Sequence, residues 1–429
     1  MSDRYHQSEA LLERALRTIP LGSQTFSKSK TQYPYGVSPY FIEHGKGCRV
    51  QDADGNEYID FVMSLAAVTL GYSDPDVTAA VRSQLDDGVI FSLPHRLEME
   101  VAEKLRECVP CAEMTRFGKN GSDATSGAIR VARAFTGRDR IAACGYHGWQ
   151  DWYIGSTARN KGVPKAVSEL THTFPYNDAE ALDRLLSAHK GEFAAVILEP
   201  MNVAEPAPGY LEALRDITHR HGALLIFDET ITGFRYELGG AQARFGVTPD
   251  LATFGKGMAN GYPVSAVCGK AEYMHMMEEI FFSFTFGGEL LSLAAARATM
   301  QKLQREPVIA TLKSRGARIK ASLAQKIAQY GIGEFASLAG DATWSFFALR
   351  DTPRYSVWHI KTLFLQEMFA RGVITLGTHN ISYAHGEADV DRLLAVYDEV
   401  LPILHDAVIN ERLEGLLRCA PLEPLFKIR

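Results

Sequence analysis

The chain reads as an α/β protein built around a mainly parallel sheet, and three observations predict it. Apolar, strand-like runs bounded by turn residues recur through the middle of the chain, at Met114–Phe117, Arg140–Cys144, Phe193–Leu198, Ala223–Phe227, Leu251–Phe254 and Val264–Cys268. Helical patterns fall between several of them. Ala124, Ala128, Val131, Ala132 and Phe135 recur at steps of 4, 3, 1 and 3, which places them on one helix face until Gly137 stops it, and Gly209–Gly222 reads as a second crossover helix. The third observation is composition: 429 residues, 46% apolar and 22% charged, describe an ordinary globular chain with room for two or three packed units. Strands alternating with helices imply a sheet covered on both faces, with ligands outside the carboxyl ends of its strands. Functional residues are therefore expected just after strands.

The flanks differ from this middle. Residues 1–60 combine a charged helix with a loop rich in Ser, Lys, Tyr and Pro, whereas residues 305–429 begin with basic helices and end in short strands and a long helix, Glu387–Asn410. They are expected to form one smaller α+β domain from both chain ends, around a large domain at 61–304.

Lys plus Arg is 45 against 51 Asp plus Glu, a net charge of -6, so nothing at chain level predicts a nucleic-acid partner. The N-terminus lacks an apolar targeting core, and the longest nearly apolar stretch, Phe61–Leu70, is far short of a membrane span. The expectation is a cytoplasmic protein with no membrane partner, whose six cysteines stay reduced. Cys108 and Cys111 have the C-x-x-C spacing but no second pair and no nearby His pair, and His219 and His221 end an amphipathic helix, so no metal site is expected.

Four positions after strands carry the chemistry. Asn120-Gly121-Ser122-Asp123 opens a helix, either as an ordinary N-cap or as a seat where backbone N–H groups favour a phosphate. Asp228 ends the run Ala223–Phe227, where an ionised carboxylate needs a cationic partner: a neighbouring arginine, a metal or a pyridinium nitrogen. Lys256 lies between Gly255 and Gly257, as a surface lysine or as a desolvated amine fit for Schiff-base chemistry. Tyr146-His147-Gly148-Trp149 offers an aromatic face to a flat heterocycle, or is simply a packed aromatic turn. Jointly a phosphate seat, a stacking ring, an anion for a ring nitrogen and an amine for an aldehyde match pyridoxal 5'-phosphate.

These residues sit in an ordered series of longer motifs: Val50–Asp60, Gly121-Ser-Asp-Ala-Thr, Tyr146-His-Gly, Glu199-Pro200, Ala223–Arg235 and Ala384-His385. In that series the chain resembles the class III aminotransferases of the type I pyridoxal-phosphate fold, with its nearest likeness to the glutamate-1-semialdehyde aminomutase branch. The resemblance implies a seven-stranded sheet in the large domain. It implies that Lys256 carries the cofactor as an imine, that Asp228 partners the pyridinium nitrogen, and that Tyr146 stacks on the ring. Gly121 and Ser122 would hold the phosphate, Thr230 would pack on the ring, and Glu199 would lie near its oxygen. Thr285, in Phe284-Thr-Phe-Gly-Gly, resembles a threonine that reaches the phosphate of a neighbouring subunit, which implies a homodimer with shared sites.

Departures from the family pattern bear on substrate. Thr230 stands where the family usually has valine. The stretch Gly22–Lys28 lacks the substrate-binding arginine of the aminomutase, leaving Lys28 as its cation without a bidentate fork. Thr378-His379-Asn380 replaces a glutamate-containing segment, and it resembles relatives that aminate sugar-like aldehydes or ketones. The reading that follows is an aminotransferase moving an amino group from an amino acid, by analogy glutamate, to a polar, sugar-like carbonyl compound, with Lys28, His379 and Asn380 as candidate substrate contacts. A 2,1-aminomutase is the alternative in the same site. A nucleotide-dependent oxidoreductase is the distant one, because Gly255-x-Gly257-x-x-x-Gly261 is interrupted by Tyr262-Pro263 and followed at once by another strand.

Overall fold

The computed structural model describes residues 3–423, which divide into two compact units. Of the described residues, the larger takes Ala67–Thr69 and Pro75–Ile309; the smaller takes 3–66, Leu70–Asp74 and 310–423. In the smaller unit β1 (Ile42–Lys46), β2 (Arg49–Asp52) and β3 (Glu57–Asp60) form an antiparallel meander. The larger unit carries β4 (Met114–Gly118), β5 (Arg140–Cys144), β6 (Thr171–Thr173), β7 (Phe193–Leu198), β8 (Leu224–Asp228), β9 (Leu251–Phe254) and β10 (Ser265–Gly269). These make one seven-stranded sheet in the order β4-β10-β9-β8-β7-β5-β6, parallel except that β10 runs antiparallel to both β4 and β9. Back in the smaller unit, β11 (Ala336–Asp341), β12 (Trp344–Leu349) and β14 (Thr378–Asn380) form a three-stranded antiparallel sheet, and β13 (Val373–Ile374) joins β3 in parallel.

The central strands are apolar throughout because both faces of the sheet are covered: every residue of β7 and β8 is buried. The pleat sorts them. Ile141, Ala143, Ala195, Ile197 and Ile226 meet Ala124, Ala128, Val131 and Ala132 of the helix Gly121–Thr136. Ala142, Val196, Leu198, Leu225 and Phe227 meet Tyr210, Leu211, Leu214 and Ile217 of the helix Tyr210–Arg220 on the opposite face. Phe135, expected on the same face as Ala124, is instead 43% exposed, because the last helical turn meets the Tyr273 ring edge-on at 4.7 Å rather than the sheet. β6 has no apolar run to announce it; it is a three-residue strand, Thr-His-Thr, paired with β5 at the end of the strand order.

In the smaller unit, Met63 to Ala66 form a left-handed turn of non-glycine residues, with φ of 43°, 50°, 58° and 66°. Such backbone costs roughly 1–2 kcal/mol per residue. The Asp60 carboxylate holds the turn's start by accepting from the N–H groups of Val62 (2.7 Å) and Met63 (3.1 Å). Among the described residues no helix is long and apolar enough to cross a membrane, and no group of His, Cys, Asp and Glu could hold a metal.

Gly316, within the helix Val308–Gln329, gives a test of the packing in the smaller unit. Exchanging glycine for alanine inside a helix ordinarily gains about 1 kcal/mol. Here a Cβ would lie 1.6 Å from the carbonyl oxygen of Ala342. Gly316→Ala is therefore expected to lower the melting temperature; a raised one would mean that the Ala342 turn moves away freely.

Candidate active site

The seven-stranded sheet presents chemistry-bearing side chains at the carboxyl ends of β5, β7, β8 and β9, and at the N-terminus of the helix after β4. Asp228, the last residue of β8, is 5% exposed. Its Oδ2 accepts from His147 Nδ1 at 2.9 Å. Its Oδ1 accepts from the Thr230 backbone N–H at 3.1 Å, the Thr230 hydroxyl at 2.5 Å and the Thr253 hydroxyl at 3.1 Å. Burial works to raise the Asp228 pKa, but the hydrogen bond and charge of His147 and the two bonds from Thr230 outweigh it and hold the carboxyl below its usual range. His147 itself is 1% exposed and its Nε2 lies 3.1 Å from the Cys144 carbonyl oxygen.

Lys256 follows β9 with φ of 41°, a left-handed conformation uncommon outside glycine, and its amine makes no hydrogen bond among the described residues. Burial lowers its pKa. The negative charges of Asp228 and Glu199 push the other way, and the Arg235 guanidinium adds to the lowering, so the net direction is down. An amine in this state loses its proton more readily than a surface lysine, as an attack on an aldehyde requires.

The helix Gly121–Thr136 opens with a capping box, in which Asn120 Oδ1 accepts from the Asp123 N–H (3.3 Å) and Asp123 Oδ2 accepts from the Asn120 N–H (2.9 Å). The N–H groups of Gly121 and Ser122 have no acceptor among the described residues. With the helix dipole they make an anion seat. One wall requires glycine, since a Cβ on Gly148, at φ 101°, would stand 2.2 Å from Ser122 Oγ; a Cβ on Gly121 would be a tight contact, 3.0 Å from the Thr230 methyl.

Tyr146 is 45% exposed, with its ring set edge-on to Tyr153 at 5.7 Å. Glu199, at the end of β7, holds the loop that carries it: Glu199 Oε2 accepts from the Tyr146 N–H (2.9 Å) and from Asn202 Nδ2 (2.8 Å). Burial, and then the charge of Asp228, raise the Glu199 pKa. The larger unit thus contains Gly121, Ser122, Tyr146, Glu199, Asp228, Thr230 and Lys256 around the ends of adjacent strands. An anion seat, an exposed ring, a buried anion and an unpartnered amine are the groups that pyridoxal phosphate needs, and the residues present fit it.

Other expected site residues are not at these strand ends. Thr285 is exposed, between Phe281 and Phe286, and makes no hydrogen bond among the described residues. Lys28, in the smaller unit, is exposed and lines a cavity of about 600 Å³ with Ser23, Gln24 and Ser27. His379 and Asn380 are buried in the smaller unit. His379 is 0% exposed, with Nδ1 3.0 Å from Ser345 Oγ and Nε2 2.9 Å from the Tyr397 hydroxyl, and burial lowers its pKa to about 3. Asn380 Nδ2 donates to the Val62 carbonyl at 2.6 Å, leaving only its Oδ1 without a partner among the described residues. Both nitrogens of His379 are committed inside the unit, so the geometry speaks against its contacting a substrate. His147, Thr253 and Asn202 were not singled out from the sequence; only His147 carried a local signal, its place beside Tyr146.

The profile for aminotransferase class-III matches residues 32–383. A 3-aminobutyryl-CoA aminotransferase of Cloacimonas acidaminovorans is 41% identical over 334 residues, which is 76% of this chain and 80% of the relative. A glutamate-1-semialdehyde 2,1-aminomutase of Sorangium cellulosum is 36% identical, covering 93% of this chain and 97% of the relative. Among solved structures, an omega-transaminase from Sphaerobacter thermophilus superposes with a TM-score of 0.84 at 30% identity, over 94% of this chain and all of the other. The PLP internal aldimine form of a FumI protein from Sphingopyxis superposes with a TM-score of 0.86 at 29% identity, over 96% and 98%. The chain belongs to the class-III aminotransferases, and its cofactor is pyridoxal 5'-phosphate.

Proposed function

We propose that the chain transfers the amino group of an amino-acid donor, glutamate by family analogy, to a polar aldehyde or ketone, with Lys256 as the amine that holds the cofactor. The observation that carries this reading is the Lys256 amine, unpartnered and with a lowered pKa, beside the buried Asp228 carboxylate. Gly121 and Ser122 would take the phosphate on their free N–H groups, Asp228 would hold the ring nitrogen as a cation, and Tyr146 would cover a ring face. When bound, the cofactor supplies an electrophilic carbon and a ring that accepts electrons. Lys256 Nζ, once displaced by the donor amine, would take a proton from the donor carbon and deliver it to the cofactor's electrophilic carbon; a positioned base of this kind contributes about 10²–10⁴-fold.

Support for a polar acceptor now comes from the smaller unit's cavity, where Ser23, Gln24, Ser27 and Lys28 offer hydrogen bonds and Glu43 and Asp60 also line the wall. The sugar-like acceptor expected from Thr378–Asn380 loses the support of His379. The aminomutase reading keeps a specific observation in its favour, the 36% identity to such an enzyme over 93% of this chain. Offering the cofactor-loaded enzyme a panel of amino acids, then offering aldehydes and ketones to the aminated form, tests the transfer. Polar carbonyl compounds should be aminated; isomerisation of glutamate-1-semialdehyde without any added acceptor would replace transfer by the mutase reaction.

Lys256→Ala should abolish the borohydride-fixed label left by pyridoxal phosphate while sparing the fold. In the unaltered protein the labelling rate should rise with pH at lower pH than for a free lysine, because the Lys256 pKa is lowered and the neutral amine is the reactive form. Labelling of another lysine in the alanine variant would remove Lys256 from the mechanism.

The same reading makes the enzyme a homodimer with shared sites. Thr285 is flanked by Phe281, 81% exposed, and Phe286, 58% exposed, apolar surface of the kind a partner subunit covers. Mixing Lys256→Ala chains with Thr285→Ala chains leaves one site of each heterodimer with both residues, so activity should exceed that of the two parents combined. Heterodimers that form but show no such gain would leave Thr285 without a role across the interface.

A further inference from the structure

We infer that Thr230 is a positioning residue: its hydroxyl locks Asp228 Oδ1, so that Oδ2 alone remains to meet the cofactor's ring nitrogen. The inference rests on the reading of Asp228 as that nitrogen's partner and specifies how the partner is presented.

An ionised carboxylate offers about four acceptor positions on two oxygens. On Asp228 three donors converge on Oδ1: the Thr230 N–H at 3.1 Å, the Thr230 hydroxyl at 2.5 Å and the Thr253 hydroxyl at 3.1 Å. Oδ2 receives His147 Nδ1 alone, at 2.9 Å. Oδ1 is oversubscribed, and the acceptor position left open is on Oδ2.

Two glycines shape the space around Thr230. Its methyl stands 3.0 Å from where a Cβ of Gly121 would be and 3.4 Å from that of Gly255. The side chain forms a wedge between Gly121 of the anion seat and Gly255, which leads into Lys256, and its β-branched carbon restricts its rotation. The hydroxyl is then aimed at Asp228 by the same packing that shapes the phosphate seat. Valine would keep the wedge but lose the donor, and it would place a methyl where an oxygen now sits 2.5 Å from Oδ1. Carbon contacts need about 3.5 Å, so the carboxylate would have to swing away.

The charged and titratable groups around Asp228 are His147 and Tyr146 after β5, Tyr153 beyond them, Glu199 after β7 and Lys256 after β9. Burial opposes ionisation of Asp228, and His147 and Thr230 restore it. Removing the Thr230 hydroxyl takes away a donor that favours the ionised form, so the proton affinity of Asp228 rises. Cofactor affinity, which needs the anion, should then be lost on acidification at a higher pH than in the unaltered enzyme.

The test measures pyridoxal-phosphate dissociation constants against pH, by fluorescence quenching, with the absorbance of the bound cofactor followed in parallel. It compares the unaltered enzyme, Thr230→Val, Thr230→Ser and Asp228→Asn. Thr230→Val should bind the cofactor about tenfold more weakly at neutral pH, with the acid limb of the affinity profile and the pH dependence of the absorbance moved to higher pH. Thr230→Ser, which keeps the hydroxyl, should stay close to the unaltered profile. A Thr230→Val profile equal to the unaltered one overturns the inference, as does a serine variant impaired as badly as valine, since that would assign the effect to shape. Asp228→Asn separates the two levels: if it too binds with unaltered affinity and pH dependence, the reading of Asp228 falls; if only it is impaired, Thr230 alone loses its role.

Discussion

The site depends on one buried anion. Burying an isolated carboxylate costs several kcal/mol, and Asp228 is 5% exposed at the end of a strand with neighbours on both sides. Its donors come from three places: His147 after β5, Thr230 just past β8 and Thr253 within β9. Each hydrogen bond to a charged group is worth about 1.5–3 kcal/mol, enough in combination to offset the burial. The compensation also ties three strand ends together. His147 is held from behind, since its Nε2 faces the Cys144 carbonyl and its ring stacks on Trp152 at 6.2 Å and 17°. Each ring nitrogen thus has an oxygen partner, which fixes the orientation of the ring.

Asp228 and Glu229 show how neighbouring carboxylates on one strand end divide between chemistry and structure. Glu229 is 0% exposed and its oxygens accept from the Thr232 hydroxyl, from the N–H of Ala241 (2.7 Å) and from that of Gln242 (2.9 Å). It caps the short helix Gly240–Phe245, and Gly240 must be glycine there, because at φ 79° a Cβ would meet Glu229 Oε2 at 2.4 Å. Burial raises the Glu229 pKa despite these neutral donors, whereas the pKa of Asp228 is lowered. The difference lies in the donors: backbone amides satisfy Glu229, while Asp228 has an imidazole that can carry positive charge. Glu229 is saturated and Asp228 keeps an open acceptor position, so only Asp228 is available to a cationic ligand.

What the sequence made legible was local in range. The strand runs from Arg140 to Cys144 and from Phe193 to Leu198, and the helix face Ala124–Ala132, follow from short periodicities and reappear in the structure. The positions after strands also stood out, since a charged or glycine-rich residue ending an apolar run is a local contrast. The rest depends on pairings distant in sequence. The bond between His147 and Asp228 joins residues 81 apart, and nothing near Tyr146 signals it. His379 and Asn380 read as a polar loop facing a substrate. The antiparallel pairing of β14 with β12 sets His379 opposite Ser345, and the ring then bonds Ser345 and Tyr397 in the interior. A polar run shows that hydrogen bonds will be made, and only the tertiary fold decides with what.

The crowding of Asp228 Oδ1 also limits its pairing with Lys256. A lysine and a carboxylate buried together would ordinarily pair, and the pair would keep the amine protonated and useless as a nucleophile. Here Oδ1 is filled by Thr230 and Thr253 and Oδ2 is shared with His147. The backbone opposes pairing as well. Lys256 is held at φ 41°, a conformation costing about 1–3 kcal/mol. A Cβ on the following residue, Gly257, would stand 2.7 Å from the Thr69 hydroxyl, so close packing fixes the chain on that side. The amine therefore sits among carboxylates that raise its pKa without bonding to it, and burial prevails, giving a net lowering. On the proposed reading, the donors that keep Asp228 ionised for a ring nitrogen also fill the Oδ1 positions a Lys256 ammonium would take, so one set of hydrogen bonds serves both the anion and the nucleophile.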